Sequence, residues 1–289
     1  MPSLQDIKKR IRAVESTKQI TKAMEMVAAA RLRRAQQQIE SYRPYAHKMQ
    51  EMLSNLSEAS GEIEHPYFEV REVKRAVMVL FTSDRGLCGS FNSNLIRRAT
   101  LWLKEHKDEN PALILVGKRA WDYFKRRDVE ILAHYQDFGG KMDLRQVRRI
   151  TSELSEMFIA KQVDKISFIY SAFLSMSSFK ITEMQFLPIQ SDFEAGEDAK
   201  GPAKEYIFEP DPEEIYKRLL PNYALVQVQM ALAESLASEH GTRMIAMGSA
   251  TKNAGDMIEH LTLVRNKARQ ASITKELLDI VCGAEALNQ

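Results

Sequence analysis

Residues 4–56, LQDIKKRIRAVESTKQITKAMEMVAAARLRRAQQQIESYRPYAHKMQEMLSNL, decide the architecture. Apolar residues recur at steps of three and four: Leu4, Ile7, Ile11 and Val14, then Ala28, Leu32, Ala35, Ile39, Tyr42, Ala46, Met49, Leu53 and Leu56. Polar Lys18, Thr21 and Glu25 hold the same register between the two runs. A period kept over so many turns marks a coiled-coil seam rather than the surface helix of a globular domain. Ser3 with Asp6 three residues on supplies a capping-box start. Pro44 should kink the helix or mark a local break. At about 1.5 Å per residue the helix would run roughly 80 Å, too long to wrap a compact core, so it must leave the body of the protein.

The other end of the chain has the same character. Asp211 as cap, Pro212 at the first helical position and Glu214 three residues after the cap open a helix. Pro221 is expected to separate a short helix from a longer one. The three-four register then runs through Tyr223, Val226, Met230, Ala233, Ala237, His240, Met244, Met247, Thr251, Ala254, Ile258 and Leu261. It slips near 270 and resumes at Ile273, Leu277, Ile280, Ala284 and Leu287. Two such helices flanking one domain can pair antiparallel, and the C-terminal one outruns its partner, so its last turns should protrude alone. Gly241, Gly248 and Gly255 lie seven apart on one stripe, where each costs about 1 kcal/mol against alanine. Either another backbone approaches that face closely, or the partner helix simply stabilises a helix in which they fall by chance.

Between residues 75 and 189 the period changes. Arg75–Phe81 (RAVMVLF) and Ala112–Val116 (ALILV) read as buried strands, with further strands at Asp128–His134, Lys165–Tyr170 and 179–189. Helices are expected at 91–107, 118–126 and 143–162. Strand-helix alternation implies βαβ units and a largely parallel sheet covered on both faces. Residues 191–205, acidic and holding Gly196, Gly201 and Pro202, read as a surface loop. The expected fold class is therefore α/β: a long antiparallel two-helix coiled coil formed by the terminal helices, with an inserted Rossmann-like domain. The boundaries read as 1–60, 70–210 and 211–289.

Composition narrows the function classes. Charged residues make up 28% and the net charge is +2. That balance hides eleven Lys/Arg against six Asp/Glu in 1–58, and nine Asp/Glu against two Lys in 192–214. Arg31, Arg33 and Arg34 form either a solvated helix face or a contact for an acidic partner, and no basic-aromatic platform points to nucleic acid. Cys88 and Cys282 lack metal spacing, as do the six scattered histidines, so no metal site is expected. No apolar run approaches the roughly 20 residues that span a bilayer. The loop SDRGLCGSFN (83–92) follows a strand and opens a helix, where α/β folds bind phosphates. It matches neither G-x-G-x-x-G nor the P-loop, and it reads foremost as a structural turn with Ser90 or Asn92 as helix cap. Nucleotide binding there is the alternative. Cys88 near a helix N-terminus has no histidine beside it in sequence.

Three stretches, IKKRIRAVESTKQITKAMEMVAAARLRRAQ, SDRGLCGSFN and GTRMIAMGSATKNAGDM…VRNKARQASITKELLDIV, resemble the gamma subunit of F-type ATP synthase, in order and over essentially the whole chain. The resemblance implies a non-catalytic central-stalk rotor without cofactor, whose coiled coil stands inside a hexamer of alpha and beta subunits. Its α/β domain would rest, together with the epsilon subunit, on the membrane c-ring, coupling proton flow to ATP synthesis or hydrolysis and contributing to regulation. It places contacts with the catalytic ring at Met24, Arg243, Arg269, Gln270, Thr274 and Glu276, and with epsilon and the c-ring at Tyr206 and Glu209. Leu278 stands where family members often carry a polar residue. The chloroplast-type insert with its cysteine pair is missing, and no transit peptide is read, so a bacterial member is expected, peripheral to the cytoplasmic face of the inner membrane and held there by its partners. Two other readings remain open: an α/β nucleotide-binding enzyme with a coiled-coil oligomerisation arm, and a coiled-coil adaptor tethered to nucleic acid.

Overall fold

The structure is a computed structural model that describes residues 3–60, 65–139, 142–176, 178–190 and 212–287. Helix α1 spans Leu4–Ser60 and α5 spans Pro212–Leu287. Between them lie β1 (Ala76–Phe81), α2 (Phe91–Glu105), β2 (Ala112–Val116), α3 (Lys118–Phe124), β3 (Glu130–Tyr135), α4 (Leu144–Ile159), β4 (Lys165–Ser175) and β5 (Ser178–Leu187). The chain divides into two compact units, one of Ala29–Thr242 and the other of Met1–Ala28 with Arg243–Gln289.

The larger unit is built on a five-stranded sheet of order β3-β2-β1-β4-β5. The first four strands are parallel and β5 runs antiparallel to β4. Alternation of side chains explains why β1 is apolar at every position. Ala76, Met78 and Leu80 face Leu95, Ala99 and Trp102 of α2 and Ala120 and Phe124 of α3. Val77, Val79 and Phe81 face the other layer, formed by Val147, Ile150, Leu154 and Phe158 of α4, Leu53 and Leu56 of α1, and Tyr216, Leu220, Val228 and Leu232 of α5. The long helices thus serve as core helices here, and their apolar seams become part of the sheet's cover.

An arginine fastens the segment that enters β1. Arg71 donates through Nη2 to the carbonyls of Phe158 (2.8 Å) and Val163 (2.6 Å), and its Nε lies 2.9 Å from Asp164 Oδ1. Asp164 Oδ2 in turn accepts the backbone N–H groups of Lys74 (3.0 Å) and Arg75 (2.9 Å). The chain leaving α1 is bound by this network to the α4–β4 turn.

Several expectations are corrected. Neither proline interrupts its helix. Pro44 and Pro221 both lie inside continuous helices, exposed, while the neighbouring Ile39, Met49, Tyr216, Leu220 and Ala224 are buried. A proline ring on the solvent side forfeits one backbone bond and can bend the helix, but burial of the opposite face holds the two halves together. Strand β4 also runs five residues past Tyr170, because beyond the end of β1 it continues as a two-stranded ribbon with β5. The capping box forms as the sequence suggests: Ser3 N–H donates to Asp6 Oδ2 and Asp6 N–H to Ser3 Oγ, both at 3.2 Å. Asp211 and the 191–205 loop lie outside the described residues.

Candidate functional site: paired helices and the 83–92 loop

In the smaller unit the two helix segments run antiparallel, and their register can be read from three facing positions. Lys18 Nζ lies 3.4 Å from where a Cβ on Gly255 would stand, and Glu25 Cδ lies 3.6 Å from that of Gly248. Between them Thr251 Oγ1 donates to Thr21 Oγ1 at 2.9 Å, and Thr21 donates on to the Lys18 carbonyl at 3.1 Å. Steps of three and four up α1 meet steps of four and three down α5. The polar interruption of the N-terminal repeat thus faces the glycine stripe, and long side chains fill the glycine notches. Of the two readings of that stripe, a close backbone approach is met only at Gly241, where the Met176 carbonyl lies 3.6 Å from the Cβ position. At Gly248 and Gly255 side chains of α1 lie over the helix, and at Gly241, in the larger unit, the space is taken by the Phe179 ring.

A pair of helices can bury only one stripe of each. Ile7, Ile11, Ala28, Met247 and Ala254 are buried in the seam, whereas Ile20, Met26, Val27, Ile245, Met257 and Leu263 stay exposed. Scattered exposed apolar residues are ordinary, but so many on one two-helix unit mark a surface made to be covered. The end of α5 goes further. From Arg269 to Cys282 every residue but the half-buried Ser272 is exposed, including Ile273, Leu277, Leu278 and Val281, with Ile280 at 68%.

Of the anticipated contact residues, four lie on the exposed end of α5 and two lie elsewhere on the paired helices. Met24 is half-buried on α1 and Arg243 is buried on α5. Arg269, Gln270, Thr274 and Glu276 lie along the exposed end of α5, where Thr274 Oγ1 donates to the Gln270 carbonyl (3.0 Å) and Ser272 Oγ to Glu276 (3.2 Å). Tyr206 and Glu209 lie outside the described residues.

The 83–92 loop spends its polar groups on itself. Asn92 Oδ1 accepts the Ser83 N–H at 3.0 Å, and its Nδ2 donates to Ser83 Oγ (2.8 Å) and to the buried Cys88 Sγ (3.1 Å). Neither Ser90 nor Asn92 caps α2: Ser90 occupies the cap position but its Oγ accepts from Asn94 Nδ2 (3.2 Å) and from no helix amide, and Asn92 is turned back to the strand end. The first amides of α3 are also taken. Lys118 N–H donates to Asp84 (3.1 Å), Arg119 N–H to the Ser83 carbonyl (3.1 Å) and Ala120 N–H to Thr82 Oγ1 (3.1 Å). Asp84 puts an internal carboxylate where α/β folds can receive a phosphate, and its other oxygen accepts the Gly139 N–H at 3.3 Å. Gly117 makes the fit possible, with φ of 98° and a Cβ position only 2.1 Å from the Thr82 carbonyl. This is the geometry of a structural turn. Among the described residues, no group of three or more His, Cys, Asp or Glu is placed to hold a metal ion.

A protein-family model described as ATP synthase matches residues 3–287. The ATP synthase gamma chain of Heliobacterium modesticaldum is 45% identical over 293 residues, covering 99% of this chain and 100% of that one. The chain belongs to the ATP synthase gamma chain family. The gamma chain of Protochlamydia amoebophila, 42% identical over 287 residues with 99% and 100% of the two chains covered, is a further relative. The fold is also that of a chain in the Euglena gracilis mitochondrial ATP synthase OSCP/F1/c-ring assembly (TM-score 0.68, 19% identity, 98% of this chain and 94% of that one). A chain from the Tetrahymena thermophila mitochondrial ATP synthase central stalk and c-ring is similar (TM-score 0.61, 23% identity, 80% and 99%).

Sequence reasoning missed two features of this gamma-family chain. The Arg71–Asp164 tie joins residues 93 apart, and nothing in local pattern pairs them. The Thr21–Thr251 bond did leave a signal, since both residues sit at seam positions of their own repeats, where a polar side chain needs a partner.

Proposed function

We propose that this chain is the central-stalk rotor subunit of an F-type ATP synthase, turning within the catalytic hexamer of alpha and beta subunits and coupling proton flow in the membrane sector to ATP synthesis or hydrolysis. Membership of the gamma chain family supports the assignment, and the observation that carries the mechanism is the end of α5. Some four turns of helix, exposed almost throughout, carry both apolar and charged side chains. Such a surface can lie against the inner wall of a ring, and contacts that differ between rotary positions are what bias a neighbouring subunit from one state to another.

Met24, Arg243, Arg269, Gln270, Thr274 and Glu276 are the proposed contacts with the catalytic subunits. Tyr206 and Glu209 are those toward the epsilon subunit and the c-ring, with residues 70–210 as the foot of the stalk between terminal segments 1–60 and 211–289. The chain itself is non-catalytic and transmits work done elsewhere. No helix among the described residues is long and apolar enough to cross a membrane. In this reading attachment is peripheral, through partner subunits, on the cytoplasmic face of a bacterial inner membrane.

Co-purification tests the assignment. A tagged copy of the chain should bring down a nucleotide-binding hexamer with ATPase activity, while the chain alone turns over no ATP. Failure to capture such a hexamer, or appreciable turnover by the isolated chain, would refute it.

A further inference from the structure

Beyond Ile169 the β4 strand loses its pairing with β1 and continues to Ser175 with β5 alone. A two-stranded ribbon is marginal by itself and must be held by packing. Helix α2 covers part of it through Ile181, which packs against the cluster of Phe91 and Leu95, and α5 holds it through three residues at i, i+4 and i+7 on a single helix face. Glu234 accepts the backbone N–H of Phe173, with the Arg43 guanidinium of α1 nearby. Ser238, 0% exposed, donates through Oγ to the Ser171 carbonyl at 2.9 Å. Gly241 receives the Phe179 ring: a Cβ at 241 would stand 2.6 Å from Cζ and 2.9 Å from Cε1, and 3.6 Å from the Met176 carbonyl. Hydrogen bonds to strand backbone and a ring seated on a glycine are directional contacts. They fix the register and rotation of the helix at particular atoms, in addition to the shape fit of the apolar packing.

We propose that the β4–β5 ribbon is a clamp that fixes α5 against rotation and sliding relative to the α/β domain, with Ser238, Gly241 and Phe179 as its positioning residues. The inference rests on the rotor reading, because a shaft can deliver torque to its foot only if the foot cannot turn around it. It also gives Gly241 a task distinct from that of Gly248 and Gly255, which face polar side chains of α1.

The test uses the assembled complex. Ser238→Ala should raise amide hydrogen exchange in residues 171–179 about tenfold, the factor carried by one lost buried hydrogen bond. Gly241→Ala should do the same by displacing the ring, and should lower ATP-driven proton pumping relative to ATP hydrolysis. Gly241→Ala combined with Phe179→Leu, which removes the two ring atoms in conflict, should restore both readouts, as coupled neighbours do. Unchanged exchange in both single variants would overturn the clamp. Raised exchange with an unaltered pumping-to-hydrolysis ratio, or no rescue by the double variant, would overturn its positioning role. Failure of the rotor reading would look different, since even the unsubstituted chain would then give a complex without coupled pumping.

Discussion

Arg71→Ala removes a side chain that makes two hydrogen bonds to buried carbonyls and an ion pair with Asp164. Its guanidinium also lies 4.4 Å from the centre of the Phe158 ring. Arg71 and Asp164 are 15% and 14% exposed, so solvent screens the pair weakly. The Asp164 carboxylate keeps the Lys74 and Arg75 amides in the variant, which limits its cost. The carbonyls of Phe158 and Val163 lose a charged donor each. Charge-assisted bonds contribute about 1.5–3 kcal/mol and do not add fully, so a loss of about 3–5 kcal/mol is expected, the range for breaking one side of a buried pair. Urea unfolding of the chain followed by tryptophan fluorescence suits the measurement, because Trp102 is buried in the sheet core and reports on this unit. Arg71→Lys should recover only part of the loss, since an ammonium lacks the fork that spans two carbonyls and a carboxylate. A shift below about 1 kcal/mol for Arg71→Ala would refute the view that this arginine fastens the chain entering β1.

Other substitutions test separate parts of the structure. Gly117→Ala would place a methyl 2.1 Å from the Thr82 carbonyl at φ of 98°, and should cost about 3 kcal/mol or more in the same unfolding assay. Burial raises the Glu234 pKa above 4.5, while Arg43 and the Phe173 amide pull it down less strongly. The folded state therefore holds that proton more tightly than the unfolded chain, and the site's contribution to stability, full below pH 4.5, falls as pH rises toward the raised value. Glu234→Gln should accordingly gain on the parent chain as pH is raised through that interval, and a stability difference independent of pH would contradict the sign. Met24→Lys puts a charge on a half-buried position of the shaft, so ATP-driven proton pumping should fall more than subunit assembly does. Normal pumping would count against a contact there.

Local periodicity made the architecture legible, since the helices and the alternation of strands and helices each have their own repeat. The capping box at Ser3 and Asp6 was legible for the same reason, being a contact between near neighbours. Pro221 misled because a local rule about backbone donors was outweighed by burial of the neighbouring Tyr216, Leu220 and Ala224 in the core. The glycine stripe showed where space was needed, and the filling side chains, Lys18, Glu25 and Phe179, come from distant segments that no pattern pairs with it. In the 83–92 loop the turn was readable from its glycines, whereas the use of Asp84 as an internal anion depends on the segments after β2 and β3 arriving beside it. The partner-contact residues came from family resemblance, because their chemistry is expressed on a surface whose counterpart lies in another chain.

The proposed role requires that this chain rotate. The direct measurement fixes the catalytic hexamer to a surface, attaches a bead to an introduced cysteine on the α/β domain, with Cys282 replaced by serine, and supplies ATP. The bead should rotate stepwise in one direction at a rate that follows ATP hydrolysis. Hydrolysis at full rate with the bead stationary would contradict it.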